Sequence, residues 1–223
     1  MSTQQLAFDL PSAAAMRRED FFVTPANAVA LAAVDGWRDW PQGRMLLVGP
    51  AGAGKTHLAR IWAQEAGAVV VPATDVISAD LPGLAAMGAV VVEDAEQLPP
   101  DGEAALFHLH NMLVTGRLLI TAALPPRDWP IALPDLASRM QAMPAARLEA
   151  PDDALLTAVL VKLFADRQVT VPASLISYLT LRMDRSLHAA SQLVAALDAR
   201  ALAQARPITR SLAAEVLDNA ARP

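Results

Sequence analysis

The chain has 223 residues, a formal net charge of −5, and 54% hydrophobic but only 4% aromatic residues. This length predicts one or two domains, and the negative charge argues against a large, self-sufficient DNA-binding surface. The sequence contains no cysteine, which excludes disulfides and cysteine-based metal sites and fits a reducing cytoplasm. Because no basic segment precedes an apolar stretch and no apolar run reaches membrane length, we expect neither a signal peptide nor membrane association.

The pattern of residue types divides the chain into three parts. Residues 1–16 contain no helical or strand pattern long enough to pack alone, and they predict a tail. Residues 17–150 predict an α/β domain that begins with a helical segment from about Pro25 to Trp40, for which Thr24 is the expected N-cap. Residues 151–223 predict a small all-α domain.

Short apolar runs alternate with helical patterns in the α/β part. This order is typical of a parallel sheet that is covered by helices on both faces. The predicted strands are Arg44–Val48, Ala68–Val71, Ala89–Glu93 and Leu118–Thr121, with a weaker one near Ala146–Leu148. The predicted helices between them are Lys55–Glu65, a short one near Ala73–Asp80, and Gly102–Thr115.

Apolar residues recur at helical spacing after Pro151. Asp152 or Asp153 is expected to cap the first helix of this part. Further helices are predicted at about Ala173–Arg182, Ser186–Ala203 and Thr209–Ala220.

The segment Gly49–Thr56 reads Gly-Pro-Ala-Gly-Ala-Gly-Lys-Thr and lies between a predicted strand and a predicted helix. In this context glycines let backbone N–H groups surround phosphate oxygens, and the helix N-terminus adds a partial positive charge. Lys55 is then expected to contact the β- and γ-phosphates, and the Thr56 hydroxyl to ligate Mg²⁺. The alternative is a glycine-rich turn that matches the motif by chance. The flanking strand and helix favour binding of a nucleoside di- or triphosphate.

Polar residues follow two of the predicted strands. Glu93 and Asp94 end an apolar strand, where one acid of a P-loop protein holds Mg²⁺ through water and a second polarises the attacking water. In isolation the pair also fits a solvated strand end or a helix N-cap. Thr121, at the end of the next strand, is a candidate polar group facing the γ-phosphate, or an ordinary strand threonine.

Two arginines are candidates for contacts with phosphate. Arg139 lies between the two predicted domains, where an arginine can enter a neighbour's nucleotide site and stabilise the charge on the transferred phosphoryl group. Arg185 opens a long predicted helix and is placed to reach back over the phosphates. The alternatives are an exposed surface arginine for Arg139 and a solvated charge at a helix start for Arg185.

These segments resemble the AAA+ domain of the DnaA family of bacterial replication initiators, over nearly the whole chain. Residues 18–27 are similar to the segment that surrounds the adenine base in that family. Four other segments are similar to motifs of that family. Gly54–Leu58 matches its P-loop and the following helix, and Leu118–Thr121 with Pro125 and Pro126 matches its polar-sensor segment. Leu133–Arg139 is similar to its arginine-finger segment, and Arg185–Leu187 to its second sensor.

The resemblance implies an AAA+ P-loop NTPase core of the α/β class, with a parallel five-stranded sheet followed by a small all-α lid domain. It implies ADP or ATP as ligand, with Mg²⁺ held through Thr56 and Glu93. For catalysis it indicates Arg139 as arginine finger, with Glu93 and Asp94, and it indicates Thr121 as sensor. The nucleotide-binding residues that it indicates are Phe22, Val23, Asn27, Pro50, Gly52, Ala53, Gly54, Lys55, Thr56, His57 and Arg185.

The segment Gln5–Leu10 resembles the short peptide with which the Hda subgroup of this family docks on the sliding clamp, the β subunit of DNA polymerase III. Gln5 is expected to hydrogen-bond in a small polar slot, while Leu6, Phe8 and Leu10 fill an apolar pocket.

From this length we expect neither the DNA-reading helix-turn-helix domain of DnaA nor its helicase-interacting domain. An AAA+ module with a clamp-binding tail is the arrangement of the Hda subgroup. The resemblance therefore implies a cytoplasmic, replisome-associated bacterial regulator that promotes hydrolysis of DnaA-bound ATP and so limits replication initiation. Its expected partners are DnaA and the sliding clamp, with DNA contacted only indirectly, and a homo-oligomer is left open.

Two departures from the family pattern predict weak intrinsic ATPase activity. Glu93 stands where the family usually has aspartate, and Ala122 and Ala123 replace the polar sensor residue. The alternatives are a helicase-loader-like ATPase, or an adaptor that nucleotide stabilises and that has no catalytic role.

Overall fold

A parallel five-stranded sheet in the order β2-β3-β4-β1-β5 forms the centre of the computed structural model, which describes residues 16–220. The predicted α/β fold class is confirmed, because helices cover both faces of the sheet and a helical region follows it. The strands are β1 (Arg44–Val48), β2 (Val69–Pro72), β3 (Ala89–Glu93), β4 (Arg117–Ala122) and β5 (Ala145–Arg147).

The helices follow the predicted pattern with three differences. They are α1 (Ala28–Asp35), α2 (Lys55–Ala66), α3 (Leu81–Ala86), α4 (Glu103–Met112), α5 (Pro134–Ala142), α6 (Asp153–Asp166), α7 (Ala173–Thr180), α8 (Leu187–Ala203) and α9 (Arg210–Ala220). The helix predicted from Pro25 to Trp40 begins later and ends before Gly36, and 3-10 turns continue the chain. A 3-10 turn replaces the short helix predicted near Ala73–Asp80. The sequence pattern predicted neither α3 nor α5.

Alternate residues of the strands supply the two halves of the sheet's core. In β3, Val90 and Val92 pack with residues of α4 and α5 on one face, while Ala89 and Val91 pack with α1 and α2 on the other. All four are buried, so the strand reads as a continuous apolar run, as expected for a parallel strand covered on both faces.

The helical region after residue 151 has its own apolar cluster, formed by α6, α7, α8 and α9. Side chains cap two of its helices, α6 and α8. The carboxylate of Asp152 accepts a hydrogen bond from Leu155 N at 2.8 Å, and the Ser186 hydroxyl accepts one from Ala189 N at 3.3 Å. Within residues 16–220, no helix is long and apolar enough to cross a membrane.

The two edges of the sheet differ in chemistry. The Gly49–Thr56 loop follows the carboxyl end of β1, and Asp94 follows that of β3. Thr121 lies at the carboxyl end of β4. At the opposite edge the buried Arg44 guanidinium donates to the carbonyls of His110 and Leu113, at 2.9 and 2.6 Å, and so caps the end of α4. Burial lowers the pKa of Arg44 from its ordinary value.

Candidate functional site

The Gly49–Thr56 loop has the backbone of a phosphate cradle. Gly52 and Gly54 have positive φ angles of 71° and 101°, which residues with a Cβ rarely adopt. These glycines turn the chain from β1 directly into the first turn of α2. Successive N–H groups of such a turn form a concave site for anions at a helix N-terminus.

Lys55 is the buried cation of this loop. Its side-chain amine donates to the carbonyls of Gly49 and Pro50 at 2.8 and 3.2 Å, and the residue is only 7% exposed. Burial lowers the pKa of Lys55, and the carboxylates of Glu96 and Asp94 partly offset this effect. Among the described residues, its hydrogen-bond partners are uncharged carbonyls, so a phosphate would supply the missing counter-charge and the loop fits a nucleotide.

The acids at the end of β3 have separate environments. Asp94 adopts a left-handed backbone with φ of 55°, and its N–H donates to the Thr121 hydroxyl at 3.0 Å. Thr121 is fully buried, and its hydroxyl thus holds the backbone of Asp94 between two strand ends. Ala122, next to it, is also fully buried. The polar side chain predicted as a sensor is therefore engaged with the acid-bearing turn.

Glu93 lines an open groove beside α2. The other groove residues include Arg60 and Gln64 of α2 and Pro72 of β2. One Glu93 carboxylate oxygen is buried and has no hydrogen-bond partner among the described residues. Thr56, the other predicted Mg²⁺ ligand, is the second residue of α2. Within residues 16–220 no group of three His, Cys, Asp or Glu residues is arranged for a metal ion, although a nucleotide-bound Mg²⁺ needs only one or two protein ligands.

The helical region touches the loop through the start of α8. Leu187 N donates to Gly52 O at 2.8 Å, and a Cβ added to Gly52 would lie 1.9 Å from the Ser186 hydroxyl oxygen. Gly52 therefore serves both the turn and a close approach by the helical region. The sequence reasoning missed Ser186 as a contact of the loop, and its position next to Arg185 was the one signal available.

The guanidinium of Arg185 bonds to the start of α6. It donates to Asp153 Oδ1 at 2.7 Å and to Pro151 O at 3.2 Å. The residue predicted to reach over the phosphates is thus paired with a carboxylate, one residue before the loop contact at Ser186.

The predicted adenine-binding segment is fixed by the side chain of Asn27. The Asn27 amide accepts from Thr24 N at 2.9 Å and donates to Phe22 O at 2.8 Å, and the residue is 3% exposed. Val23 between them is 56% exposed. The segment therefore presents an apolar side chain on a constrained turn.

His57 connects this segment to α2 instead of facing the loop. Its Nε2 lies 3.0 Å from Arg17 O, and its ring packs edge-on against Phe21 with centroids 5.3 Å apart. Burial lowers the pKa of His57, and the bond to the Arg17 carbonyl opposes that effect. Asp20 forms an ion pair at 3.0 Å with Lys162 of α6, so the segment also ties the helical region to the sheet domain.

Arg139 lies exposed on α5, near the end of α4. It is close enough to His110 to contribute to the lowered pKa of that residue, whose main causes are burial and Arg44. The buried carboxylate of Glu103 accepts from Ala132 N at 2.9 Å and from Leu133 N at 2.6 Å, immediately before α5. Glu103 therefore holds the N-terminus of the helix that carries Arg139. The predicted clamp-binding residues Gln5, Leu6, Phe8 and Leu10 lie outside the described residues.

No protein-family model matches the sequence. Domain III of the replication initiation protein DnaA from Thermotoga maritima superimposes with a TM-score of 0.80 at 18% identity, covering 93% of this chain and 98% of that domain. AMPPCP-bound DnaA from Aquifex aeolicus gives 0.67 at 17% identity, over 81% of this chain and 64% of that chain. The RuvB Holliday junction branch migration motor of Thermotoga maritima gives 0.62 at 17% identity, covering 86% and 66%.

The likeness extends through the sheet and the helical region of the DnaA domain, whereas the chain spans less than two thirds of the AMPPCP-bound DnaA chain. At these identities the comparison establishes architecture. The chain has the AAA+ P-loop NTPase fold that is found in DnaA domain III and in RuvB.

Proposed function

We propose that this protein is a nucleotide-binding regulator of the Hda type that promotes hydrolysis of ATP bound to DnaA. The nucleotide part rests on the Gly49–Thr56 loop, where a buried lysine amine faces uncharged carbonyls. The loop N–H groups and Lys55 would bind the phosphates of ADP or ATP. Thr56 and Glu93 would hold the accompanying Mg²⁺. A bound Mg²⁺ would neutralise phosphate charge.

The position of Arg139 is the observation that carries the regulatory part. Arg139 lies near His110, whose carbonyl accepts a hydrogen bond from Arg44, the first residue of β1. The Gly49–Thr56 loop follows the last residue of β1. These two points are separated by about 13 Å, at about 3.3 Å per strand residue. An exposed arginine at the edge opposite the chain's own loop is better suited to a neighbour's nucleotide than to its own.

Weak hydrolysis by the chain itself is part of the proposal. The Thr121 hydroxyl is engaged with Asp94 N, and Ala122 beyond it carries no polar group. Glu93, a glutamate at the end of β3, lines an open groove with Arg60 and Gln64. The bound nucleotide would then stabilise the shape that meets DnaA, while the turnover occurs in DnaA.

Docking on the sliding clamp completes the proposal and rests on the sequence of Gln5–Leu10. DnaA, the clamp and, through the clamp, DNA are the proposed partners. The protein would be cytoplasmic and associated with the replisome.

Conversion of labelled ATP to ADP on DnaA tests this function. We expect the purified protein to accelerate that conversion by at least tenfold when the clamp is loaded on DNA, and to turn over little ATP alone. The double variant Gln5→Ala, Leu6→Ala should lose clamp capture, while Thr3→Ala, its matched control, should keep it. Fast turnover without DnaA would instead support a helicase-loader-like ATPase, and no acceleration with tightly held nucleotide would support an adaptor.

A further inference from the structure

The side chain of Arg185 has a partner that competes with phosphate. Its neighbours Ser186 and Leu187 touch the loop at Gly52, yet its guanidinium donates to Asp153 Oδ1 at 2.7 Å and to Pro151 O at 3.2 Å. An arginine side chain is long and pivots at its own Cα. The same residue can therefore reach either the start of α6 or the mouth of the loop.

The ion pair between Arg185 and Asp153 is weak enough for a phosphate to replace Asp153 as the partner of Arg185. The two side chains are 53% and 63% exposed, so water weakens their attraction. A terminal phosphate offers arginine a more negative, bidentate partner than one carboxylate oxygen and one carbonyl. A polyanion bound in the loop can thus draw the guanidinium away from α6.

We propose that Asp153 is a latch on Arg185 that lowers the affinity of the loop for nucleoside triphosphates relative to diphosphates. This inference rests on the proposed nucleotide binding and adds a residue that sets the choice of nucleotide. ATP must break the pair before its last phosphate gains the arginine, whereas ADP, which lacks that phosphate, binds with the pair intact.

The latch couples the nucleotide to the helical region. Pro151 belongs to the connection between β5 and α6, Asp153 is the first residue of α6, and Arg185 lies two residues before α8. When the pair is closed, it ties the starts of α6 and α8 together. Release of Arg185 toward a third phosphate would remove that tie, so ATP and ADP would leave the helical region held differently.

Affinities of the full chain for ATP and ADP, measured by titration calorimetry, test the latch. Asp153→Asn should raise the affinity for ATP about two- to fivefold, the worth of an exposed pair, and change that for ADP less. Asp153→Glu should remain near wild type because it keeps the charge. Asp184→Asn is the matched control, since it removes an exposed acid next to Arg185 that does not bond the guanidinium, and it should leave the ratio unchanged.

The double variant Asp153→Asn, Arg185→Ala separates a latch from a general effect of charge. If Asp153 acts as a latch, Asp153→Asn should not raise the affinity for ATP once Arg185 is absent. An equal rise in affinity with and without Arg185 would overturn the latch. NMR of the Arg185 Nε–H provides a readout without nucleotide: its signal should shift in Asp153→Asn, and an unchanged signal would also overturn the latch. Wild-type protein that binds neither nucleotide would overturn the proposed function and the nucleotide step together, whatever the NMR result.

Discussion

The two edges of the central sheet handle positive charge in opposite ways. At the carboxyl edge, Lys55 is buried in a concave loop and donates to the carbonyls of Gly49 and Pro50. At the other edge, Arg44 is buried to cap α4, while Arg139 is exposed on α5. A buried cation with uncharged partners suits a small anionic ligand of this chain. An exposed cation on a fixed helix suits a site on another molecule.

Removal of Lys55, at the carboxyl edge, should have the largest effect on nucleotide affinity. Lys55→Ala takes the one buried ammonium from the loop, and we expect nucleotide affinity to fall about a hundredfold or more, equivalent to about 3 kcal/mol. Titration calorimetry with ADP measures this. Arg200→Ala, which removes an exposed cation of α8, is the control and should bind as wild type does. Unchanged affinity in Lys55→Ala would refute the phosphate site.

Removal of Glu103 should affect the arginine edge instead. Glu103→Ala leaves the N–H groups of Ala132 and Leu133 without their buried carboxylate, which should cost about 2–3 kcal/mol of unfolding free energy. Urea unfolding measures this cost, and ADP binding of the folded variant should persist. Glu65→Ala, at an exposed acid of α2, should change stability by less than about 0.5 kcal/mol. An equally small loss in Glu103→Ala would contradict the anchoring of α5.

The cap of α6 should matter less than either edge. Asp152→Ala removes the acceptor of Leu155 N and should cost about 1 kcal/mol, whereas Asp152→Asn keeps an acceptor and should cost only a few tenths. Thermal unfolding compares the two variants. Equal losses in both would mean that the charge of Asp152, and not its hydrogen bond, supports the helix.

The smallest expected effect concerns pH and His57. Because burial lowers the pKa of folded His57, the unfolded chain binds more protons near and below the ordinary histidine pKa, and stability falls as the pH falls through that range. His57→Gln should therefore lose less stability than wild type between about pH 7.5 and about pH 5.5. Urea midpoints at both pH values measure the difference. The same loss in both proteins would remove His57 as a cause.

Short-range patterns predicted the sheet well. The predicted bounds of Arg44–Val48 and Ala89–Glu93 coincide with β1 and β3. Both are continuous apolar runs between turn residues, and each is paired on both sides, so local pattern and tertiary environment agree. The Gly49–Thr56 loop was predicted for the same reason, since its chemistry is contiguous in the chain.

Contacts between distant segments account for what the sequence did not predict. The N-terminus of α5 has Leu133 in place of a capping side chain, and its capping carboxylate comes from Glu103, thirty residues earlier. The pairing of Arg185 with Asp153 spans 32 residues. The sequence indicates Arg139 and Arg185 as candidates for phosphate contacts. Their partners and orientations depend on packing that no local pattern encodes.

In the proposed function, Arg139 acts on the nucleotide of DnaA and not on that of its own chain. Arg139→Ala should reduce the acceleration of ATP hydrolysis in DnaA by at least about tenfold, since an arginine supplied in trans contributes a large factor to phosphoryl transfer. The same variant should keep wild-type ADP affinity and clamp capture. Arg127→Ala, at another exposed arginine, should accelerate DnaA as wild type does. Full acceleration by Arg139→Ala, with its nucleotide and clamp binding intact, would contradict the claim.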